Sequence, residues 1–288
     1  MKIAGQTALS MVGMLALAAC SPLKTFNAVI PKDGASRQVA EAIAYGSEER
    51  QKLDIFTPDA DAPEAGGARP VVVFFYGGSW NSGTRTGYDF VGRALAARGF
   101  VTLVPDYRLV PDVRYPAFVE DGAASVRWAR KHAAQYGGDP DRIVLIGHSA
   151  GAYIAAMLAL DERWLGSDRT AIDGWVGLAG PYDFAPFEGE VTQAAFGNWP
   201  EPAETQPITR AGAGDPRTLL LTGADDTTVE PRNSRQLAEK LRAGGTPADV
   251  KIYPGVGHVG IITSIAKPLR GNSPALEDIA AFVDPAGS

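Results

Sequence analysis

The 288 residues contain a single cysteine, Cys20. That count excludes disulfide frameworks, cysteine zinc sites and iron–sulfur clusters. Histidine is almost as scarce, with only His132, His148 and His258. None is paired at a metal-ligand spacing, and no H-E-x-x-H or P-loop sequence occurs, so no metal or cofactor is implied. Basic residues do not predominate either: 27 Lys and Arg stand against 33 Asp and Glu, a formal net charge of −6 without a basic stripe. Such a balance argues against a nucleic-acid partner. There is no internal repeat, and the 33 Gly and 21 Pro are scattered as turn punctuation rather than gathered into low-complexity tracts. What remains, at 45% hydrophobic and 21% charged, is ordinary globular composition.

The longest apolar run near the start, Ala8 to Ala19, is too short to span a bilayer. After the basic Lys2 it reads as the core of an export signal. It ends in Leu17-Ala18-Ala19-Cys20, which resembles the lipobox of bacterial lipoproteins. Small residues there let a peptidase approach, and the thiol is the nucleophile that takes the lipid. The expectation is a signal peptide over 1–19, lipidation at Cys20, and an exported lipoprotein anchored to a membrane (outer membrane or periplasmic face) by acyl chains alone. A simple secretory signal with a chance cysteine is the plainer alternative. Residues 20–40 have little periodicity and read as a tether. The folded domain is expected over 41–285.

From Gln51 onward, strand-like and helix-like stretches alternate. Strands are expected at Gln51–Phe56, Val71–Tyr76, Phe100–Val104, Ile143–Ile146, Trp175–Leu178, Leu219–Thr222 and Val250–Tyr253. Several are nearly continuous apolar runs, as strands covered on both faces must be. Helical patterns fall at Gly87–Arg98, Ala117–Tyr136, Gly151–Leu160, Ser234–Ala243 and Ala275–Val283. The alternation predicts an α/β fold with a mostly parallel central sheet and helices on both faces.

The sharpest signal is Gly147-His148-Ser149-Ala150-Gly151, between the apolar run Ile143–Ile146 and the helical Ala152–Leu160. This is G-x-S-x-G in its proper context of strand, tight turn and helix, which raises the Ser149 hydroxyl above a sheet. A nucleophilic serine needs a base. His132 falls mid-helix among Arg and Lys and reads as a surface residue. His148 sits inside the elbow and reads as packing, because adjacent residues there point apart. His258 remains, in Gly255-Val256-Gly257-His258 after the last strand. The orienting acid is expected between Ser149 and His258, where Asp225 and Asp226 both follow the strand Leu219–Thr222. After Val71–Tyr76 come Gly77-Gly78-Ser79-Trp80, whose N–H groups at Gly78 or Ser79 could join that of Ala150 to form an oxyanion hole. One decoy, Gly255-Val256-Gly257-His258-Val259-Gly260, fits a dinucleotide fingerprint, but the 28 residues after it leave no room for the further βαβ unit required.

Together these pieces resemble the α/β-hydrolase family, specifically bacterial carboxylesterases related to hormone-sensitive-lipase-like and kynurenine-formamidase-like enzymes. The matching residues are Tyr76-Gly77-Gly78-Ser79-Trp80, Asp106-Tyr107-Arg108-Leu109, Gly137-Gly138-Asp139-Pro140, the elbow, Asp226 and His258. The resemblance implies a serine hydrolase of small carboxylic esters, with Ser149, Asp226 and His258 as its triad and Asp106 as a structural acid. Tyr76 departs from the family pattern, which has a supporting His at that position. Between Leu178 and Leu219 an insert carries Tyr182, Phe184, Phe187, Phe196 and Trp199, expected either to wall the acyl pocket or to pack on the core. A formamidase or other amidase would use the same residues. A non-catalytic ligand-binding lipoprotein would be expected to have lost one of them. The sequence carries no sign of oligomeric state.

Overall fold

A computed structural model describes residues 22–59 and 67–285. Its strands are β1 (Ser36–Ala44), β2 (Lys52–Pro58), β3 (Arg69–Phe75), β4 (Val101–Pro105), β5 (Gly138–His148), β6 (Ile172–Leu178), β7 (Arg217–Gly223) and β8 (Ala248–Tyr253). The helices are α1 (Pro22–Val29), α2 (Asp89–Ala96), α3 (Ala117–His132), α4 (Ala150–Leu160), α5 (Glu162–Leu165), α6 (Glu190–Phe196), α7 (Pro207–Arg210), α8 (Arg232–Ala243), α9 (His258–Thr263) and α10 (Ala275–Val283). The strands form one sheet in the order β1-β2-β4-β3-β5-β6-β7-β8. Pairing is antiparallel from β1 to β2 and from β2 to β4, and parallel from β4 through β8.

Strand β3 shows why the sheet is covered on both sides. Val71 to Phe75 are all fully buried, and successive side chains of a strand point to opposite faces. Phe74 meets Tyr88 just ahead of α2, with ring centroids 5.8 Å apart. Phe75 reaches instead toward Gly122 of α3, whose neighbours also include Ile154 and Leu158 of α4. The parallel strands all end along one edge, so the loops that follow them lie side by side, as expected for an open α/β sheet.

All seven strands read from the sequence are present, and β1 is an addition. Its alternation is broken by register shifts between Gln38 and Ala40 and again before Ile43. The segment read as a tether is a correction: its described part is folded. Helix α1 places Phe26 edge-on to Phe90, and the Asn27 side chain donates to the Thr86 carbonyl while accepting from the Phe90 N–H. Arg270 also pairs with Asp33 at 2.6 Å. A short apolar face and a few specific bonds fasten this stretch, and neither leaves a periodicity long enough to read. The signal peptide and Cys20 lie outside the described residues.

A buried ionic cluster braces the end of β3. Asp106, just past β4, takes one hydrogen bond from the Tyr76 hydroxyl (2.8 Å) and an ion pair from Arg85 (2.7 Å). Arg85 bridges onward to Asp54 at 2.8 Å, and Arg50 donates to the Tyr76 hydroxyl at 2.9 Å. Tyr76 is itself held between Tyr88 and Tyr107, with ring centroids 5.4 and 4.7 Å away. Burial pushes the Asp54 carboxyl up, and the Ala42 N–H and Arg85 pull against that. Removing one partner of a buried ion pair strands the other, at about 3–5 kcal/mol, whereas a hydrogen bond to a charged group contributes about 1.5–3 kcal/mol. Arg85→Ala, which breaks ion pairs to both Asp54 and Asp106, is therefore expected to destabilise the fold more than Tyr76→Phe, as measured by urea unfolding.

Candidate active site

Ser149 follows β5 directly and caps α4, with φ 53° and ψ −122°. A non-glycine residue in that region is strained by about 1–3 kcal/mol and persists only where its surroundings hold it. Here the holding is visible. The Ser149 N–H donates to the Leu178 carbonyl of β6 at 2.9 Å. A Cβ on Gly147 would lie 2.2 Å from the Gly151 carbonyl oxygen, and one on Gly151 would lie 2.1 Å from that of Phe75. Only glycine fits either position, which is the physical content of the motif.

The base and the acid arrive on neighbouring loops. His258 opens α9 rather than standing in a free loop, and its Nε2 is 2.9 Å from the Ser149 hydroxyl. Its Nδ1 is 2.8 Å from an Asp226 carboxylate oxygen. The other Asp226 oxygen accepts the N–H groups of Thr228 and Val229, each at 2.9 Å. The Asp226 side chain is wholly buried, while that of His258 keeps 14% of its surface. Asp225 faces solvent, and its backbone N–H ties down the Val256 carbonyl. Gly223 allows this approach, because a Cβ there would sit 1.9 Å from the Val256 carbonyl oxygen. One carboxylate therefore meets the imidazole and its neighbour does not.

Opposite them, Gly78, Ser79 and Trp80 all have positive φ, at 145°, 52° and 58°. The Gly78 carbonyl turns inward to accept from the N–H groups of Asn81 and Ser82. Among the described residues, the N–H groups of Gly78, Ser79 and Ala150 donate to no other group, so they are free to receive a negative oxygen. The arrangement suits addition of the Ser149 hydroxyl to a carbonyl, with the proton passing to His258.

The remaining expectations divide. His132 ends α3 and stacks on Trp128 (4.4 Å between centroids), outside the hydrogen-bond chain of the site. Asp106 is structural, as read. From the insert, Phe184 stacks on Trp80 at 5.8 Å and Phe196 meets its edge at 4.9 Å, while Tyr182 is buried against Trp175. The insert thus both walls the oxyanion side and packs on the core. A groove of about 480 Å³ opens between the insert and the loop after Asp226, lined by Asp183, Phe184, Thr227, Thr228 and Val229. Sequence reasoning missed Arg50 and Arg85, whose contacts with Tyr76 and Asp106 come from separate segments. His148, read as packing, is buried.

Known proteins share this arrangement of chain. The BD-FAE family matches residues 53–241, which takes in Ser149 and Asp226 but stops short of His258. A probable isoprenylcysteine alpha-carbonyl methylesterase of Arabidopsis thaliana, ICMEL1, is 30% identical over 279 residues, covering 86% of this chain and 56% of its own. Esterase LipC of Mycobacterium tuberculosis is 32% identical over 240 residues, or 75% and 58% of the two chains. The chain thus spans little more than half the length of these two curated relatives. A solved carbohydrate esterase from gut microbiota, in truncated form, aligns with a TM-score of 0.77 at 21% identity, over 90% of this chain and 99% of that one. With the family match running from Leu53 to Leu241 across the sheet and its elbow, the chain belongs to the BD-FAE family and has the α/β-hydrolase fold.

Proposed function

We propose that the protein is a serine carboxylesterase that cleaves small carboxylic esters through an acyl-enzyme on Ser149. The observation that carries this reading is the unbroken hydrogen-bond chain from Asp226 through His258 to Ser149, at 2.8 and 2.9 Å. Relatives named methylesterase and esterase support an ester in preference to an amide. In this reading Ser149 attacks the ester carbonyl as His258 takes its proton, and Asp226 holds the imidazole in the required tautomer. The tetrahedral oxyanion is received by the N–H groups of Ala150 and of Gly78 or Ser79. His258 then protonates the leaving alcohol, and water repeats the sequence to free the acid.

Hydrolysis of aryl esters of increasing acyl length, beside formylated amides, tests the substrate class. Ser149→Ala and His258→Ala should each lower turnover by orders of magnitude, up to the ~10⁶ found when a serine protease loses its nucleophile or base. Near-wild-type hydrolysis by the Ser149 variant would end this reading.

The two adjacent acids should separate cleanly. Asp226→Asn is expected to cost about 10⁴ in turnover, as the corresponding change does in a serine protease. Asp225→Asn should change it by less than about tenfold, or roughly 1.4 kcal/mol of barrier. Steady-state kinetics on both variants decides it, and an inactive Asp225 variant beside an active Asp226 variant would reverse the assignment.

We further propose that a lipid on Cys20 anchors the enzyme at a membrane, supported by the lone cysteine at the end of the apolar run Ala8 to Ala19. Cys20→Ser should leave the precursor uncleaved or the domain soluble. Membrane fractionation with labelled palmitate measures this, and freely soluble, unlabelled wild-type protein would contradict it.

A further inference from the structure

His148 is the last residue of β5, adjacent to Ser149, and only 3% of its surface is exposed. The proposed reaction does not use it. Its Nε2 lies 3.1 Å from the backbone carbonyl oxygen of His258. That oxygen can only accept, so Nε2 carries the hydrogen and Nδ1 is the bare nitrogen. Burial, reinforced by the neighbouring His258, pushes the His148 imidazole down to about 3, so the ring stays neutral. The two imidazoles pack with centroids 5.1 Å apart and planes inclined at 40°.

On its other side the ring lies against the oxyanion loop. A Cβ added at Gly77 would fall 2.7 Å from His148 Nδ1, which has no hydrogen-bond partner among the described residues. One side chain therefore fills the space between the loop that should receive the oxyanion and the backbone that carries the base. It bonds to one of them and touches the other.

We propose that His148 is a positioning residue: its Nε2–H, bonded to the His258 carbonyl, fixes the base so that one imidazole can reach Ser149 and Asp226 together. This rests on the esterase reading of the same site. His258 must satisfy two hydrogen bonds at 2.8 and 2.9 Å from opposite ring atoms, and a shift of its backbone moves both. Misplacement of a catalytic group by about 1 Å can cost on the order of 10²-fold in rate.

Three substitutions separate this role from packing. The amide nitrogen of His148→Gln can reach the His258 carbonyl, that of His148→Asn is too short, and His148→Phe fills the space without a donor. Turnover of an aryl ester should fall about 10- to 100-fold for Phe and Asn with KM little changed, and Gln should restore most of it. Thermal unfolding of each variant identifies any loss due to misfolding. A merely packed His148 predicts the opposite order, with Phe nearest to wild type, and that order would overturn the proposal. Wild-type hydrolysis with all three variants equally active would remove the positioning role and leave the esterase reading standing. Absence of hydrolysis by the wild type would overturn both.

Discussion

The left-handed turn at Ser149 is the constraint on which the site depends. A strained backbone survives only if its neighbours cannot relax it. Here β5 runs in the interior of the sheet between β3 and β6, so neither flank can yield without breaking a ladder. Gly147 and Gly151 remove the side chains that would push the turn open. The Leu178 carbonyl then fixes the Ser149 N–H from the adjacent strand. The serine is presented by tension across three strands rather than by any contact of its own hydroxyl.

The oxyanion side is held by different physics. Three consecutive positive-φ residues at Gly78, Ser79 and Trp80 have no strand to hold them, and their support comes from below. The Tyr76 ring is stacked between two others, and its hydroxyl is locked to Asp106 and Arg50. The Tyr107 hydroxyl donates to the Tyr76 carbonyl, so backbone and side chain are both tied. A phenol stands here where the pattern the sequence resembles has a supporting His. It supplies a donor to a buried carboxylate at the far end of a flat ring. Above the loop, the insert closes aromatic rings over Trp80.

Much of this was legible because the relevant signals are local. A continuous apolar run such as Val71–Phe75 admits few interpretations, and the elbow residues are contiguous. The base could be found by elimination because the chain offers three histidines and two of them have visible reasons to stand elsewhere. Choosing Asp226 over Asp225 was harder, since both precede the same turn. What separates them is the pair of N–H bonds from Thr228 and Val229, which no spacing reveals. The Asp106 cluster was invisible for a similar reason: Arg50, Tyr76, Arg85 and Asp106 meet from four separate stretches. Strand β1 escaped because its register slips twice, and α1 because eight residues give barely two turns.

Those slips in β1 have a consequence for how the molecule behaves among its own copies. An outermost strand with a regular row of unpaired amides is a template for another chain. In β1 the row is interrupted, Ala42 is turned to φ 54°, and its N–H is taken inward by the buried Asp54. At the opposite border, β8 carries Asp249 and Lys251 outward, the latter paired with Asp278. Among the described residues, one border strand thus carries an interrupted ladder and the other outward charges, features that discourage edge-to-edge pairing of sheets.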